Sequence, residues 1–330
     1  MRLLPQRACA ALAVLLAGIA VVTVDTSEAT AADAQKTTQK ATTSTVPPRV
    51  VGVAVPGAPT DLSTLTDLTA KLGQAPGQVT WYAAWAAVPD FDSTGAARIA
   101  ATGAVPEVTW EPWDPAAGVT QPAYSLDRIT AGAYDSYISR WAREIRSYGN
   151  PVVIRFAHEM NGNWYPWAEG VNGNGAGDFV AAWRHVVGVF RSARVSNVSW
   201  TWAANVPYAG STPLTELYPG DSYVTRVGLD GYNWSTLQGW SSWQSFADVF
   251  GPGLAELKAL TTKPEYISET ASPEVGGDKA AWISDMWSTL AAHPEVRGIT
   301  WFDYDKETDW RIDSSDTALP AFATGMRTFS

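Results

Sequence analysis

Cysteine is almost missing from this chain. Of 330 residues only Cys9 carries a thiol, so neither a disulfide framework nor a thiolate metal centre can be drawn for the body of the protein. Histidine is nearly as scarce. His158, His185 and His293 are the three present, and no two stand at ligand spacing, which argues against a zinc site. Basic residues are outnumbered, 23 against 33 acidic, for a net charge of −10. That balance argues against nucleic acid and anionic membrane surfaces as partners, but is indifferent to a neutral polymer. No glycine-rich phosphate loop follows the first strand, which weighs against an open doubly wound nucleotide-binding sheet.

A long uncharged run occurs near the N-terminus, from Ala8 to Val24, behind Arg2 and Arg7 and ahead of Ala29-Thr30-Ala31. This pattern reads as a secretory signal peptide over 1–31, with a retained signal anchor as the alternative. Removal leaves the net charge unchanged and takes away Cys9. Residues 32–48 are polar, repetitive and poor in apolar groups, and read as a disordered linker. The expected product is secreted and extracellular, a monomer free of the membrane once cleaved.

From Val50 onward short β-branched runs alternate with helical periodicity. Strands are expected at 50–55, 79–85, 105–110, 152–154, 198–202, 227–232, 266–268 and 298–302. The clearest helix is marked by Tyr134, Tyr137, Ile138, Trp141, Ile145 and Tyr148, with Gly149 as its stop. Eight strands alternating with helices point to an α/β protein, a single-domain (β/α)8 TIM barrel over 49–330.

Two strand ends carry chemistry. Pro151-Val-Val-Ile-Arg-Phe-Ala-His158-Glu159 runs from a buried strand into a loop rich in Asn, Gly and Trp, and Tyr266-Ile-Ser-Glu269 repeats the design. Carboxylates after the fourth and seventh strands of an eight-stranded ring can flank one substrate, as a general acid and a nucleophile working on one bond. Alternation along the strands turns Arg155 the same way as Glu159, so Arg155 is expected beneath the carboxylates, paired with Asp230, while the Tyr232 hydroxyl donates to Glu269. His158 reads as a hydrogen-bonding neighbour of substrate; His185 and His293 read as structural.

The stretch Arg155-Phe-Ala-His158-Glu159-Met-Asn161-Gly-Asn-Trp164-Tyr-Pro-Trp167, together with Gly228-Leu-Asp230-Gly-Tyr232-Asn-Trp234, Tyr266-Ile-Ser-Glu269-Thr270 and Ile299-Thr-Trp301-Phe302, resembles glycoside hydrolase family 26. The resemblance implies a retaining (β/α)8 enzyme. Most members are secreted β-mannanases and some act on mixed-linkage β-glucan or β-1,3-xylan. It also implies Glu159 as acid/base, Glu269 as nucleophile, and Trp164, Tyr232 and Trp301 as sugar contacts. Mannan is the first expectation for substrate and mixed-linkage glucan the second, because many mannan-acting relatives carry a histidine near the end of an earlier strand where this chain has Glu111 and Trp113.

Seventeen tryptophans are far more than ordinary usage, and flat indoles stack on pyranose faces. Trp110 and Trp167 are added on that ground as substrate contacts, with Asn205 as a hydroxyl partner. No cofactor or metal is expected. The loop from Glu169 to Asp178 could offer oxygens to calcium, but reads first as a glycine-rich turn. A non-catalytic carbohydrate-binding barrel is the alternative of another class.

Overall fold

The computed structural model describes residues 48–329. The expected signal peptide and all of the linker but Pro48 lie outside the described residues. Eight parallel strands close into a barrel in sequence order: β1 (Val50–Ala54), β2 (Gln78–Ala84), β3 (Val105–Glu111), β4 (Val152–Phe156), β5 (Val198–Asn205), β6 (Arg226–Tyr232), β7 (Glu265–Ala271) and β8 (Val296–Phe302). The ring is completed by β1 pairing with β8, Val50 opposite Gly298 and Ala54 opposite Phe302.

Helices wrap the outside: α1 (Ser63–Leu72), α2 (Ser93–Ala101), α3 (Leu126–Thr130), α4 (Asp135–Tyr148), α5 (Asp178–Ser192), α6 (Leu214–Leu217), α7 (Phe246–Leu260), α8 (Lys279–Ala292) and α9 (Ala318–Phe329). α4 buries Ile138, Trp141, Ala142 and Ile145, and ends where Gly149 turns left-handed (φ 78°) and gives its N–H to Ile145. α7 starts on a capping box, Ser245 with Asp248, which satisfies two otherwise orphaned N–H groups. The short α3 and α6 had no periodic signature in the sequence.

Apolar side chains fill the layer between strands and helices, and fully burying each large one is worth about 1.5–3 kcal/mol. The inside of the barrel is different: it is polar and ion-paired. At its lower end Arg226 gives Nη2 to Glu107 Oε1 (2.5 Å) and Gln78 Oε1 (2.9 Å), gives Nε to Thr201 (2.7 Å), and lies 4.1 Å over the Tyr266 ring. Such buried charge is tolerable because it is paired with a carboxylate and held by further hydrogen bonds. This plug closes the floor, so the open end is the C-terminal mouth.

Candidate active site

Arg155 organises the mouth. It is fully buried on β4, gives Nη1 to both oxygens of Asp230 (2.9 and 2.8 Å) and Nη2 to Glu269 Oε1, and rests Nε and Nη2 on Thr109 Oγ1 (3.0 and 2.8 Å). Glu269 receives two further hydrogen bonds, from Tyr82 to Oε1 (2.6 Å) and from Tyr232 to Oε2 (2.6 Å). Burial works to raise the pKa of Glu269. The Arg155 charge and the two phenols outweigh it and hold the group down at about 2.

Glu269 reaches this position through an irregularity in β7. Against β6 the register runs Leu229 to Ile267 and then Asp230 to Glu269, so Ser268 is an extra residue on β7. The bulge sets Glu269 level with Asp230, as bulges beside active sites often re-aim one side chain. Space for Ser268 exists because residue 228 is glycine: a Cβ there would collide with Ser268 Oγ.

Glu159 is presented by a different device. β4 ends at Phe156, and the chain then places Ala157 (φ 44°) and Glu159 (φ 54°) in the left-handed region, which costs about 1–3 kcal/mol at each non-glycine residue. Neighbouring strands hold the strained turn: Ala157 N–H bonds Trp110 O (3.1 Å) and Glu159 N–H bonds Ala203 O (2.9 Å). The Trp164 indole donates to Glu159 Oε2 (2.7 Å). Burial first, and the negative charge of Glu269 second, push Glu159 up to about 7. Between those two values the carboxyl groups take opposite protonation states, Glu159 protonated and Glu269 ionised.

The same turn breaks strand alternation, so His158 also faces the mouth. Its ring lies 4.9 Å from that of Tyr165, Nε2 and the Tyr165 hydroxyl are 3.2 Å apart, and Nδ1 has no hydrogen-bond partner among the described residues. Burial and the Arg155 charge push His158 down to about 3, so it is neutral. His158, Asp230 and Glu269 each bring a potential ligand atom within 4.8 Å of the others, a grouping the histidine spacing had not suggested. Arg155 already pairs with both carboxylates, so a cation there would have to displace a guanidinium.

Three expected sugar contacts are placed elsewhere. Trp110 is wholly buried on the helical side of β3, donates to the Tyr137 hydroxyl (3.1 Å) and packs on Trp141 and Phe190. Trp301 is likewise turned outward, against Trp282 of α8 and Phe322 of α9, with its indole on Trp310 O (2.8 Å). Its neighbour Phe302 packs instead against Tyr82 and Tyr232. Trp167 is buried under the mouth, stacked on Tyr165 (4.3 Å) and bonded to His158 O (2.7 Å), so it supports the β4–α5 loop. Asn205 is partly exposed at the end of β5, and its backbone N–H and O both pair with the Asn161 side chain.

Tyr82, Tyr208 and Trp310 at the mouth carried no expectation from the sequence, while Glu111 and Trp234 were named there without a role in the site. Glu111, buried at the end of β3, is raised by burial to about 7 within reach of the charges of Arg155 and Glu269. Tyr208 stacks 6.0 Å from Trp164, and both are exposed. Trp310 and Trp234 line Tyr232 (5.3 and 5.9 Å). The signal for Tyr82 was its parity with Thr80, whose hydroxyl bonds Glu107 inside the barrel. In the loop after Glu169, Asn174 serves Leu126 N, Pro166 O and Ala168 O, Asn172 pairs with Gln121, and Asp178 and Glu169 accept from Gly175 and Gly177. Those oxygens tie the loop down.

A parallel eight-stranded barrel whose mouth holds two glutamates in opposite protonation states, rimmed by exposed aromatics, defines the glycoside hydrolase class. Residues 88–289 match the profile of Glycosyl hydrolase family 26, and the chain belongs to that family. It is 40% identical over 225 residues to Endoglucanase H of Acetivibrio thermocellus, covering 67% of this chain and 24% of that longer protein. Against a mannan endo-1,4-beta-mannosidase of Bacillus subtilis it is 29% identical over 159 residues, 45% of this chain and 39% of that one. The chain therefore spans well under half the length of these relatives. In fold it is similar to the catalytic domain of an endo-beta-1,4-mannanase from Bacillus sp. JAMB-750, with a TM-score of 0.65 and 17% identity over 85% of this chain and 86% of that one.

Proposed function

We propose that this enzyme cleaves internal β-1,4 linkages of a neutral plant cell-wall polysaccharide with retention of configuration, outside the cell. Glu269 is the nucleophile and Glu159 the acid/base. The observation that carries this reading is the pair itself: one carboxyl held ionised by Arg155, Tyr82 and Tyr232, the other held protonated by burial and by the first.

In the first step Glu269 attacks the anomeric carbon while Glu159 passes its proton to the departing glycosidic oxygen, leaving a glycosyl ester on Glu269. Ester formation removes the charge that had raised Glu159. Its pKa falls, and the new carboxylate can take a proton from the water that attacks the ester and frees Glu269. Asp230 keeps Arg155 in place, His158 is a neutral hydrogen-bonding group at the substrate's edge, and Trp164 and Tyr232 meet the sugar while holding the two carboxyls.

For substrate, a β-glucan containing β-1,4 bonds comes first, supported by the 40% identity to a protein named an endoglucanase and by Glu111 in place of the histidine expected of mannan-acting relatives. Mannan is the second reading, supported by the mannosidase relative. Incubation of the barrel with barley β-glucan, glucomannan, galactomannan, β-1,3-xylan and carboxymethylcellulose, following the products and their first anomeric form, tests it. Initial β-anomers from glucan-containing polymers are expected. Glu159→Gln and Glu269→Gln should each abolish cleavage with the fold intact, and full activity in either variant would contradict the assignment.

A further inference from the structure

Trp240 is 75% exposed, the extreme among the large apolar side chains of the described residues, and an indole costs free energy when left in water. It is not on a loose segment. It stands on the turn Gln238-Gly239-Trp240-Ser241, closed by Ser241 N–H to Gln238 O (3.1 Å) and by Gln238 N–H to Ser241 Oγ (3.2 Å). The loop beneath is fixed by Asn233, whose Oδ1 accepts from Ser235 N (3.2 Å) and Gln244 N (3.1 Å) and whose Nδ2 reaches Ser272 Oγ (3.0 Å). Ser235 Oγ adds a bond to Val275 O (2.6 Å). Hydrogen bonds within the turn and at Asn233 and Ser235 thus fix the loop that presents this one indole to solvent.

That indole is also the outer end of an aromatic ladder. Its ring lies 6.1 Å from Trp234, Trp234 lies 5.9 Å from Tyr232, and the Tyr232 hydroxyl holds Glu269. We propose that Trp240 is a distal sugar-stacking platform, binding a residue of the polysaccharide chain several sugars from the cleaved bond, on the side of the mouth flanked by Tyr232. The inference rests on the proposed function for the identity of the polymer. Its occupant is a pyranose chain leaving the site, because the platform is continuous with the site and its upper face is open.

The test is chain-length dependence. Trp240→Ala should raise KM for barley β-glucan and for long oligosaccharides cut from it by about tenfold, the factor that loss of one stacking contact of about 1.4 kcal/mol represents. It should leave kcat, and all constants for a trisaccharide, unchanged. Trp240→Tyr should recover most of the affinity. An equal loss on short and long substrates, or no change on either, would overturn the proposal while leaving the proposed function standing. If the wild-type protein cleaves none of the polymers, the proposed function falls, and affinity electrophoresis in gels containing β-glucan or glucomannan decides the platform separately. Stronger retardation of the wild type than of Trp240→Ala would support it, and equal migration would sink it.

Discussion

The dependence of Glu159 on the charge of Glu269 can be measured without any substrate. Glu269→Gln removes that charge and leaves Arg155 paired with Asp230 alone, and the loss of the neighbouring negative charge favours ionised Glu159. With the two carboxyls about 5 Å apart, as retention requires, an effective dielectric near 20 gives a repulsion of about 3 kcal/mol, or about two pKa units. Burial is the larger cause of the shift and stays in place, so Glu159 should fall from about 7 to about 5, still above an ordinary glutamate. The assay is a pH titration of side-chain carboxyl ¹³C resonances in glutamate-labelled protein, with the Glu159 signal identified by its absence in Glu159→Gln. A Glu159 resonance that titrates at about 7 in both wild type and Glu269→Gln would refute the reasoning, since the carboxyls would then be too far apart to share one linkage.

Three further outcomes are expected. The kcat/KM profile should be flat across mildly acidic pH and fall above about 7 as Glu159 loses its proton, with the acid limb lying near 2 where Glu269 becomes protonated; Trp164→Phe, which keeps an aromatic ring and removes the indole N–H that favours the Glu159 carboxylate, should move the alkaline limb up, and an unchanged limb would count against this. Tyr232→Phe deletes one of the hydrogen bonds to the Glu269 carboxylate, each worth about 1.5–3 kcal/mol, and should move the acid limb up by about one to two units, as read from initial rates between pH 2 and 6. Arg155→Met strands two buried carboxylates and should cost about 3–5 kcal/mol in urea unfolding; wild-type stability in that variant would show that the pair is not desolvated.

The barrel was legible because its strands are short β-branched runs spaced by helical periodicity, and all eight lie where those runs fall. α3 and α6 were not, since five and four residues carry no period to detect. At the site, the clusters around Glu159 and Glu269 stood out as polar groups at strand ends, but which way the aromatics face did not. On strands buried on both sides apolar residues do not reveal orientation. The polar ones do: Glu107, Thr109 and Glu111 alternate into the barrel and leave Trp110 to the helices, while Thr300, bonded to Gln78 inside, puts Phe302 inward and Trp301 out. Strict alternation also failed where the backbone departs from a strand, at the left-handed Ala157 and Glu159 and at the bulged Ser268. Both departures serve to aim a carboxyl, so the sequence rule broke down at the functional groups themselves.

The bulge on β7 means that the direction of the Glu269 side chain is set by pairing register and not by its count along the strand. Were β7 to pair with β6 without the extra residue, Ser268 would stand opposite Asp230, and Glu269, one step later, would turn toward the outer helices. Ser268 is therefore a spacer: a chain lacking it would run Ile267 and Glu269 against Leu229 and Asp230 in unbroken alternation and keep the carboxyl inside, whereas a slip of β7 by one residue, with every side chain still present, would yield a closed but silent barrel.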